Sequence, residues 1–339
     1  GFTMANTEIH LPSSILHPLF IAGPTAVGKS ALALALAEKI GGEIISVDSM
    51  QVYRGLNIGT AKPTAEELAR VPHHLLDVCE LAEAFDAAQF VRLARMAVAA
   101  IQSRNRTPIF CGGTGLYFQA YLNGLADAPA ADENLRAELR ATPLEQLLAE
   151  LQERDPECFA QIDRQNPRRV IRAVEVIRLT GRKFSEQRVD WRSSFPQENG
   201  TSQVENGDAA QPLPSLICLT RAPADLHQRI NVRVDEMFSR GLVEETRELL
   251  PHGLAKNQNA MQAIGYRQVV EYLRGDRGLP ETIELVKSRT RKFAKRQLTW
   301  FRRYGNCRWI ELGANEPVSE SLALLAQAAN QPIPSTRPA

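Results

Sequence analysis

The octapeptide GPTAVGKS, from Gly23 to Ser30, is the most informative segment of this 339-residue chain. It matches the pattern G-x-x-x-x-G-K-[ST] at every fixed position. The apolar run LFIAG ends at Gly23, and the Ala- and Leu-rich segment SALALALAEKI begins at Ser30. A short apolar run, a glycine-containing loop and a segment of high helix propensity predict a strand, a phosphate-binding loop and a helix, in that order.

This segment, called the phosphate loop below, has the chemistry that a di- or triphosphate requires. Its glycines let the backbone approach phosphate oxygens, and N–H groups at a helix start form an anion site. Lys29 adds positive charge, and the Ser30 hydroxyl can help to bind Mg²⁺. The predicted diphosphate ligands are the residues of the loop, namely Gly23, Pro24, Thr25, Ala26, Val27, Gly28, Lys29 and Ser30.

Outward from the loop, short apolar runs alternate with helical patterns. The segments EIISVDS (43–49), PIFCGG (108–113), SLICLTR (215–221) and RWIEL (308–312) predict strands, and residues 87–103 predict a helix. Such alternation indicates a parallel sheet with right-handed crossovers. The sequence therefore predicts an α/β fold with a core like that of P-loop NTPases.

Residues 123–192 interrupt this pattern. Segments such as PLEQLLAELQERD and RRVIRAVEVIRLTG have apolar residues at helical spacing and predict a helical insertion domain. Residues 193–214 are polar and contain a single aromatic residue, which predicts a disordered loop. The expected organisation is a flexible arm (1–18), a core (19–122), the insertion (123–192), the loop (193–214), a return to the core (215–312) and a helix with a tail (313–339).

Composition excludes several classes of protein. The chain has 40 Lys and Arg against 39 Asp and Glu, so it is not a uniformly basic nucleic-acid binder. Its five cysteines include no Cys-x-x-Cys pair, which disfavours a disulfide scaffold or a zinc site and favours the cytoplasm. No apolar run approaches the roughly 18 residues of a membrane span. A monomer is the default expectation.

Asp48 follows the second predicted strand, in the segment SVDSMQVY. Ligands of open α/β sheets bind at the carboxyl ends of the strands, so Asp48 should face the same crevice as the phosphate loop. A carboxylate there can act as a metal ligand or as a general base. The plain alternative is an aspartate that caps a helix or stabilises a loop.

The next predicted strand ends in Gly112-Gly113-Thr114. An ordinary phosphate-loop NTPase has a Mg²⁺-binding aspartate at the comparable place. The glycines predict that backbone approaches a ligand closely and that the Thr114 hydroxyl orients it, whereas the alternative is a tight turn before a helix. The neighbouring Cys111 is expected to be buried and inert.

Two segments concentrate positive charge. RQNPRRVIR contains Arg164, Arg168, Arg169 and Arg172, and KSRTRKFAKRQLTWFRR (287–303) contains eight Lys or Arg residues and no acidic residue. Such segregation indicates binding to a phosphate backbone, although a solvated helix face is the alternative. Trp300 and Phe301 cannot share one helical face, so at least one should pack inward. His73 and His74 lack a nearby third metal ligand and favour a structural role.

Taken together, these segments resemble the bacterial tRNA dimethylallyltransferase family, also called isopentenyl-tRNA transferases. The resemblance covers about residues 19–312 and is carried by GPTAVGKS, ISVDSMQVYRGLNIGTAKP, PHHLLDV, CGGTGLYFQAYLNGL, RRVIRAVEV, RINVRVDEMFSRGLVEE, AIGYRQ and KRQLTWFRR. It implies transfer of a dimethylallyl group from its diphosphate to N6 of adenosine 37, beside the anticodon of tRNA. It also implies Mg²⁺ as the cofactor, and tRNA and dimethylallyl diphosphate as partners.

The resemblance assigns roles to single residues. Asp48 is the implied general base, with Lys29 and Thr114 as the other catalytic residues and Ser30 as the Mg²⁺ ligand. The implied tRNA contacts are Asp48, Ser49, Met50, Gln51, Thr114, Arg136, Arg168, Arg169, Val170, Ile171, Arg172, Gln262, Ala263, Ile264, Gly265, Tyr266, Arg267, Lys295, Arg296, Gln297, Leu298, Thr299, Trp300, Phe301 and Arg302.

One position departs from the family pattern. Relatives have a diphosphate-binding Arg three residues before the Leu of an L-[HY]-x-R-I motif. That Leu is Leu226 in this chain, and the earlier position holds Pro223. Arg221, two residues away, is the predicted substitute.

Three other functions share part of this pattern. An adenylate isopentenyltransferase acting on AMP, ADP or ATP would use the phosphate loop, Asp48 and Thr114, but would not need an Arg-rich helical insertion. An ATP-binding kinase is predicted by the phosphate loop alone and leaves the C-terminal basic segment unexplained. An RNA-binding ATPase switch lacks the expected acidic residue at the strand that ends in Gly112.

Overall fold

The computed structural model describes residues 17–124, 129, 132–187, 216–304 and 307–330, with the backbone alone described for 326–330. The predicted disordered loop, the C-terminal tail and all but the last two residues of the predicted arm lie outside this set. In the part that is described, none of the helices combines the length and hydrophobicity that crossing a membrane requires.

Six parallel strands form one sheet, which confirms the predicted α/β fold. The strands are β1 (Leu19–Ala22), β2 (Glu43–Val47), β3 (His73–His74), β4 (Pro108–Gly112), β5 (Leu216–Thr220) and β6 (Cys307–Glu311). Their order is β3-β2-β4-β1-β5-β6. Ala22 and Val47 both pair with Gly112, so β1, β2 and β4 end level with one another. The carboxyl ends of these strands therefore share one edge, where a ligand crevice is expected.

Fourteen α-helices are found in the described residues. They are α1 (Lys29–Ile40), α2 (Ala65–Arg70), α3 (Ala87–Ser103), α4 (Gly115–Asn123), α5 (Glu133–Ala141), α6 (Leu144–Arg154), α7 (Pro156–Gln161), α8 (Pro167–Thr180), α9 (Phe184–Gln187), α10 (Pro223–Ser239), α11 (Leu242–Leu249), α12 (Tyr266–Leu273), α13 (Leu279–Tyr304) and α14 (Val318–Asn330). The edge strand β3, of two residues, is too short for its sequence pattern to have revealed it.

The chain divides into two compact units. One comprises Gly1–Leu122 with Gln211–Ala339 and is called the core unit; the other, Asn123–Ala210, is called the insertion unit. In the core unit, alternate strand residues enter two apolar clusters, with Phe20 and Phe110 in one and Ile21 and Ile109 in the other. Because successive strand side chains point to opposite faces, both faces of the sheet are buried.

The insertion unit has an apolar cluster of its own. The cluster includes Leu139 of α5, Leu147 and Leu151 of α6, and Val170 and Val174 of α8. These positions follow the helical spacing that predicted an insertion of helices, because each helix buries the stripe of apolar residues on one face.

Candidate active site

The phosphate loop lies between β1 and α1, as the sequence predicts. Gly28, at the N-cap of α1, has a φ of 105°, a left-handed conformation that glycine adopts without steric cost. A Cβ at Gly23 would lie 2.9 Å from the Leu219 carbonyl oxygen, so the backbones of β1 and β5 need a glycine there. The first N–H groups of α1 have no carbonyl partner within the helix, which leaves them available to an anion.

Lys29, the seventh residue of the loop, is half-buried. Its Nζ donates a hydrogen bond to the Pro24 carbonyl at 3.1 Å. Burial lowers the pKa of Lys29, and the positive charge of Arg233 lowers it further, whereas the Asp48 carboxylate raises it. A bound diphosphate would bring negative charge close to the Lys29 amine and stabilise its protonated form.

Arg233, on α10, is a cation that the sequence analysis did not single out. Burial lowers the pKa of its guanidinium, and Asp48 opposes that effect. Lys29, Asp48 and Arg233 therefore lie within electrostatic reach of one another. Helical spacing could have drawn attention to Arg233, because it follows Arg229 by one turn. In the structure, Arg229 Nε donates to the Ala26 carbonyl of the phosphate loop at 3.0 Å.

Asp48 follows the last residue of β2. Its Oδ1 accepts hydrogen bonds from the Met50 N–H at 2.8 Å and the Gln51 N–H at 3.3 Å. Within the described residues, no hydrogen bond is made to Oδ2. The carboxylate thus fixes the turn after β2 through one oxygen and keeps the other available as a proton acceptor.

Thr114 positions that same turn. Its Oγ1 accepts a hydrogen bond from the Ser49 N–H at 3.1 Å, and its own N–H donates to the Val47 carbonyl at 3.2 Å. The hydroxyl predicted to orient a ligand therefore orients the residue after Asp48. This hydrogen bond places Thr114 between β4 and the turn that carries the candidate base.

Protein atoms occupy the space beside the glycines around Thr114, so these glycines do not by themselves indicate the close approach of a ligand that the sequence predicts. A Cβ at Gly112 would lie 2.0 Å from the Val47 carbonyl oxygen. At Gly113 it would lie 2.2 Å from Gln297 Nε2, and at Gly115 it would lie 2.2 Å from the Trp300 ring. Gly112 leaves room for the backbone of β2, and Gly113 and Gly115 leave room for side chains of α13.

The segment after Asp48 is held by two of the predicted tRNA contacts. Gln51 Oε1 accepts from the Ser46 hydroxyl at 2.7 Å, and Gln51 Nε2 donates to the Thr60 carbonyl at 3.0 Å. The Tyr266 hydroxyl accepts from the Gly59 N–H at 3.0 Å and donates to Glu245 at 2.5 Å. The side chains of Gln51 and Tyr266 thus hold the backbone at residues 59 and 60 in place.

Arg221 supports the phosphate loop through a hydrogen bond to one of its backbone carbonyls. Pro223 begins α10, and Arg221 is 9% exposed, with Nε donating to the Val27 carbonyl at 2.7 Å. The C=O and N–H of a trans peptide point in opposite directions, so the Gly28 N–H points away from Arg221. The prediction that Arg221 replaces a diphosphate-binding Arg is therefore not supported by this geometry.

The C-terminal basic segment forms one wall of a cavity of about 430 Å³ in the core unit. Its lining includes Arg267 and three cations of α13, Arg289, Lys292 and Arg296, all of them exposed. We call these four residues the cationic groove. Lys295, Thr299 and Arg302 are also exposed, whereas Ala263, Gly265, Tyr266, Gln297 and Phe301 are buried. The inward packing expected of Trp300 or Phe301 is confirmed, since Phe301 is fully buried.

In the insertion unit, the predicted arginines divide into two kinds. Arg136 Nε lies 2.8 Å from Glu175 Oε1, and Arg172 Nη1 lies 2.5 Å from Glu175 Oε2. Burial raises the pKa of Glu175, but the hydrogen bonds from both arginines outweigh burial and lower it. Arg168 and Arg169 are exposed. Arg136 and Arg172 are therefore partners of a buried carboxylate, and Arg168 and Arg169 form the accessible pair.

The remaining candidates have structural roles. His74 Nε2 lies 2.7 Å from Glu43 Oε2, and His73 Nδ1 lies 2.8 Å from the Val71 carbonyl. No group of three or more His, Cys, Asp or Glu residues that could hold a metal ion is found in the described part of the chain. Burial raises the pKa of Cys111 to about 11, which keeps that thiol protonated at neutral pH.

Comparisons with known proteins converge on one family. A model described as IPP transferase matches residues 51–304. A tRNA dimethylallyltransferase 1 of Trichlorobacter lovleyi is 46% identical over 310 residues, which cover 90% of this chain and 97% of that protein. A tRNA dimethylallyltransferase of Geobacillus thermodenitrificans is 47% identical over 300 residues, 86% of this chain and 89% of the relative.

Solved structures show the same likeness. The crystal structure of a tRNA isopentenylpyrophosphate transferase from Bacillus halodurans has a TM-score of 0.65 and 38% identity, covering 92% of this chain and 95% of that one. A eukaryotic dimethylallyltransferase acting on tRNA has a TM-score of 0.72 and 27% identity, covering 94% and 80%.

Proposed function

The chain belongs to the IPP transferase family, and from this membership we propose that it transfers a dimethylallyl group from dimethylallyl diphosphate to N6 of adenosine 37 in tRNA. The observation that carries the proposal is the position of Asp48 directly after β2, at the same edge of the sheet as the phosphate loop that follows β1, with its Oδ1 held by the Met50 and Gln51 N–H groups. Lys29 and a set of N–H groups are available to the departing diphosphate, Arg233 adds positive charge within electrostatic reach, and one carboxylate remains for the attacking amine.

Stabilising the leaving group is the first requirement. Diphosphate leaves readily only when its charge is neutralised, and fixed donors aimed at developing charge contribute several kcal/mol. Lys29, Arg233 and the N–H groups at the start of α1 supply this stabilisation. The exposed Ser30 hydroxyl suits Mg²⁺, which commonly binds through one or two protein oxygens together with phosphates and water. Bound there, Mg²⁺ would add charge neutralisation.

Activating the nucleophile is the second requirement. The N6 amine of adenine is weakly nucleophilic because its lone pair is delocalised into the ring. Asp48 accepts a proton from this amine through Oδ2 as the new C–N bond forms, which typically accelerates a reaction about 10²–10⁴-fold. Its Oδ1 stays engaged with the Met50 and Gln51 N–H groups, so the base is held in place while it works.

Recognition of tRNA is the third requirement. A base within a stacked loop must leave the stack before a modifying enzyme can reach its reactive atom. The cationic groove supports this role, since its four exposed cations can bind the phosphates that flank the extruded nucleotide. We further propose that the protein acts as a monomer in the cytoplasm.

A single labelling experiment tests the proposed function. The protein is incubated with Mg²⁺, radiolabelled dimethylallyl diphosphate, and either unmodified tRNA or AMP. We expect label in tRNA and none in AMP, and mapping should place it on adenosine 37. Label in AMP alone would identify an adenylate isopentenyltransferase. ATP consumption without any labelled acceptor would instead favour a kinase or an ATPase.

A further inference from the structure

One buried side chain of α13, that of Gln297, reaches the phosphate loop. Its Oε1 accepts a hydrogen bond from the Thr25 N–H at 2.9 Å, and its Nε2 donates one to the Gly113 carbonyl at 3.0 Å. The side chain is only 8% exposed. A single amide group therefore joins the phosphate loop to the turn after β4.

The glycine at position 113 is explained by this contact. A Cβ there would lie 2.2 Å from Gln297 Nε2 and 3.2 Å from the Gly23 carbonyl oxygen. Gly113 is not among the glycines of positive φ, so its backbone conformation alone does not require glycine. Space for the Gln297 amide is what excludes a side chain. Trp300, one turn further along α13, occupies the corresponding space beside Gly115.

The phosphate loop needs such a support. Ala26, next to Thr25, has a φ of 64°, a left-handed conformation that is unfavourable for a residue with a Cβ. Strained backbone persists only where its surroundings hold it. Gln297 holds the loop at the Thr25 N–H, and Arg229 holds it at the Ala26 carbonyl. Because the Val27 N–H donates to the Pro24 carbonyl at 3.4 Å, the donors that remain for a ligand are the N–H groups of Ala26, Gly28 and the start of α1.

The same contact extends toward the candidate base. Gly113 precedes Thr114, whose hydroxyl accepts the Ser49 N–H beside Asp48. Gln297 therefore touches both segments on which the reaction depends, the loop for the diphosphate and the turn that positions Asp48. This arrangement differs from a contact with tRNA, the role that the family resemblance implies for position 297.

We propose that Gln297 is a positioning residue that holds the phosphate loop in its diphosphate-binding conformation. The proposal rests on the proposed function only in taking diphosphate as the ligand of the loop. Its test compares wild type with Gln297→Met, a variant of similar size that lacks both hydrogen bonds. Binding of inorganic diphosphate with Mg²⁺ is measured by calorimetry, and binding of unmodified tRNA by filter retention.

We expect Gln297→Met to bind diphosphate about tenfold more weakly, the loss expected from one or two net hydrogen bonds. Its Kd for tRNA should remain within about twofold of wild type. The matched control is Gln268→Met, since Gln268 is also buried and its side-chain oxygen accepts the Gly265 N–H at 2.9 Å rather than a donor of the phosphate loop. That control should bind diphosphate as wild type does.

A second pair of variants tests the contact from its other side and serves if Gln297→Met does not fold. Gly113→Ala should weaken diphosphate binding by a similar factor, because the new Cβ displaces the Gln297 amide. Combined with Gln297→Ala, it should cause no further loss, since the two changes remove one interaction.

Four results would overturn the proposal, and the failure of this inference can be told apart from the failure of the proposed function. Unchanged diphosphate affinity in Gln297→Met, or additive losses in the double variant, would show that the contact does not position the loop. A raised tRNA Kd with normal diphosphate affinity would make Gln297 a tRNA contact. If wild type itself did not bind diphosphate, the proposed function would fall, and this inference with it.

Discussion

Replacing Asp48 with Asn separates the two roles that the structure gives this side chain. Asn keeps an Oδ1 that can accept the Met50 and Gln51 N–H groups, at 2.8 and 3.3 Å in the wild type. It places an amide where Oδ2 stands, and an amide cannot accept a proton from N6. Asp48→Asn should therefore retain the turn after β2 and lose the base.

The expected loss follows from the size of general base catalysis. A factor of about 10²–10⁴ corresponds to roughly 2.7–5.5 kcal/mol of transition-state stabilisation. We expect the single-turnover rate to fall by that factor, with the Kd values for tRNA and diphosphate within about twofold of wild type. Asp48→Ala is the comparison variant, because it also removes the two hydrogen bonds, each worth about 1 kcal/mol, and should loosen the turn.

The assay is a single-turnover reaction with enzyme in excess over radiolabelled dimethylallyl diphosphate and saturating unmodified tRNA. Rapid quenching measures the chemical step without product release, and thermal unfolding monitored by circular dichroism checks that both variants fold. A rate for Asp48→Asn within threefold of wild type would refute the base role. A tenfold loss of tRNA affinity at an unchanged rate would make Asp48 a binding residue only.

Three further predictions test other parts of the site. Thr114→Val, nearly isosteric, removes the acceptor of the Ser49 N–H; we expect kcat to fall about tenfold while the Kd for diphosphate is unchanged, and an unaltered kcat would contradict a positioning role. Replacing Arg289, Lys292 and Arg296 with Gln should lower the slope of log K for tRNA against log salt by about 2, at roughly 0.7 for each single-strand phosphate contact. The control removes equal charge from exposed sites outside the groove, at Lys39, Arg92 and Arg95, and an equal effect there would exclude a specific groove. In the insertion unit, the lowered pKa of Glu175 means that its ion pairs stabilise the fold above about pH 4.5 and that this contribution is lost as the pH falls below that value. Glu175→Gln should cost about 1–3 kcal/mol at pH 7, because it weakens charged hydrogen bonds to two arginines that stay partly exposed. Urea unfolding and hydrogen exchange over 132–187 measure this loss, and exchange at the wild-type rate would show that Arg136 and Arg172 do not depend on this carboxylate.

Much of the fold could be predicted because its signals are local. The phosphate loop is a run of eight residues with fixed spacing, and its flanking strand and helix can be recognised from their own composition. Helix α3 was predicted over 87–103 and runs from Ala87 to Ser103. Its apolar residues recur at helical spacing, and Asp86 caps it by accepting the Gln89 N–H at 2.9 Å. Asp48 was found because strand ends carry ligand groups in such sheets.

What the sequence could not supply depends on contacts between distant parts of the chain. Thr25 and Gln297 are 272 positions apart, so no local pattern links the phosphate loop to α13. The glycines at 112 and 113 were interpreted as room for a ligand, because a missing side chain does not reveal which neighbour fills its place. Likewise, Arg221 and Arg233 look alike in the sequence, yet one hydrogen bonds a loop carbonyl and the other lies within reach of Asp48. The amino-acid sequence determined which chemical groups are present. The packing of α10 and α13 in the folded chain determined which partners these groups meet.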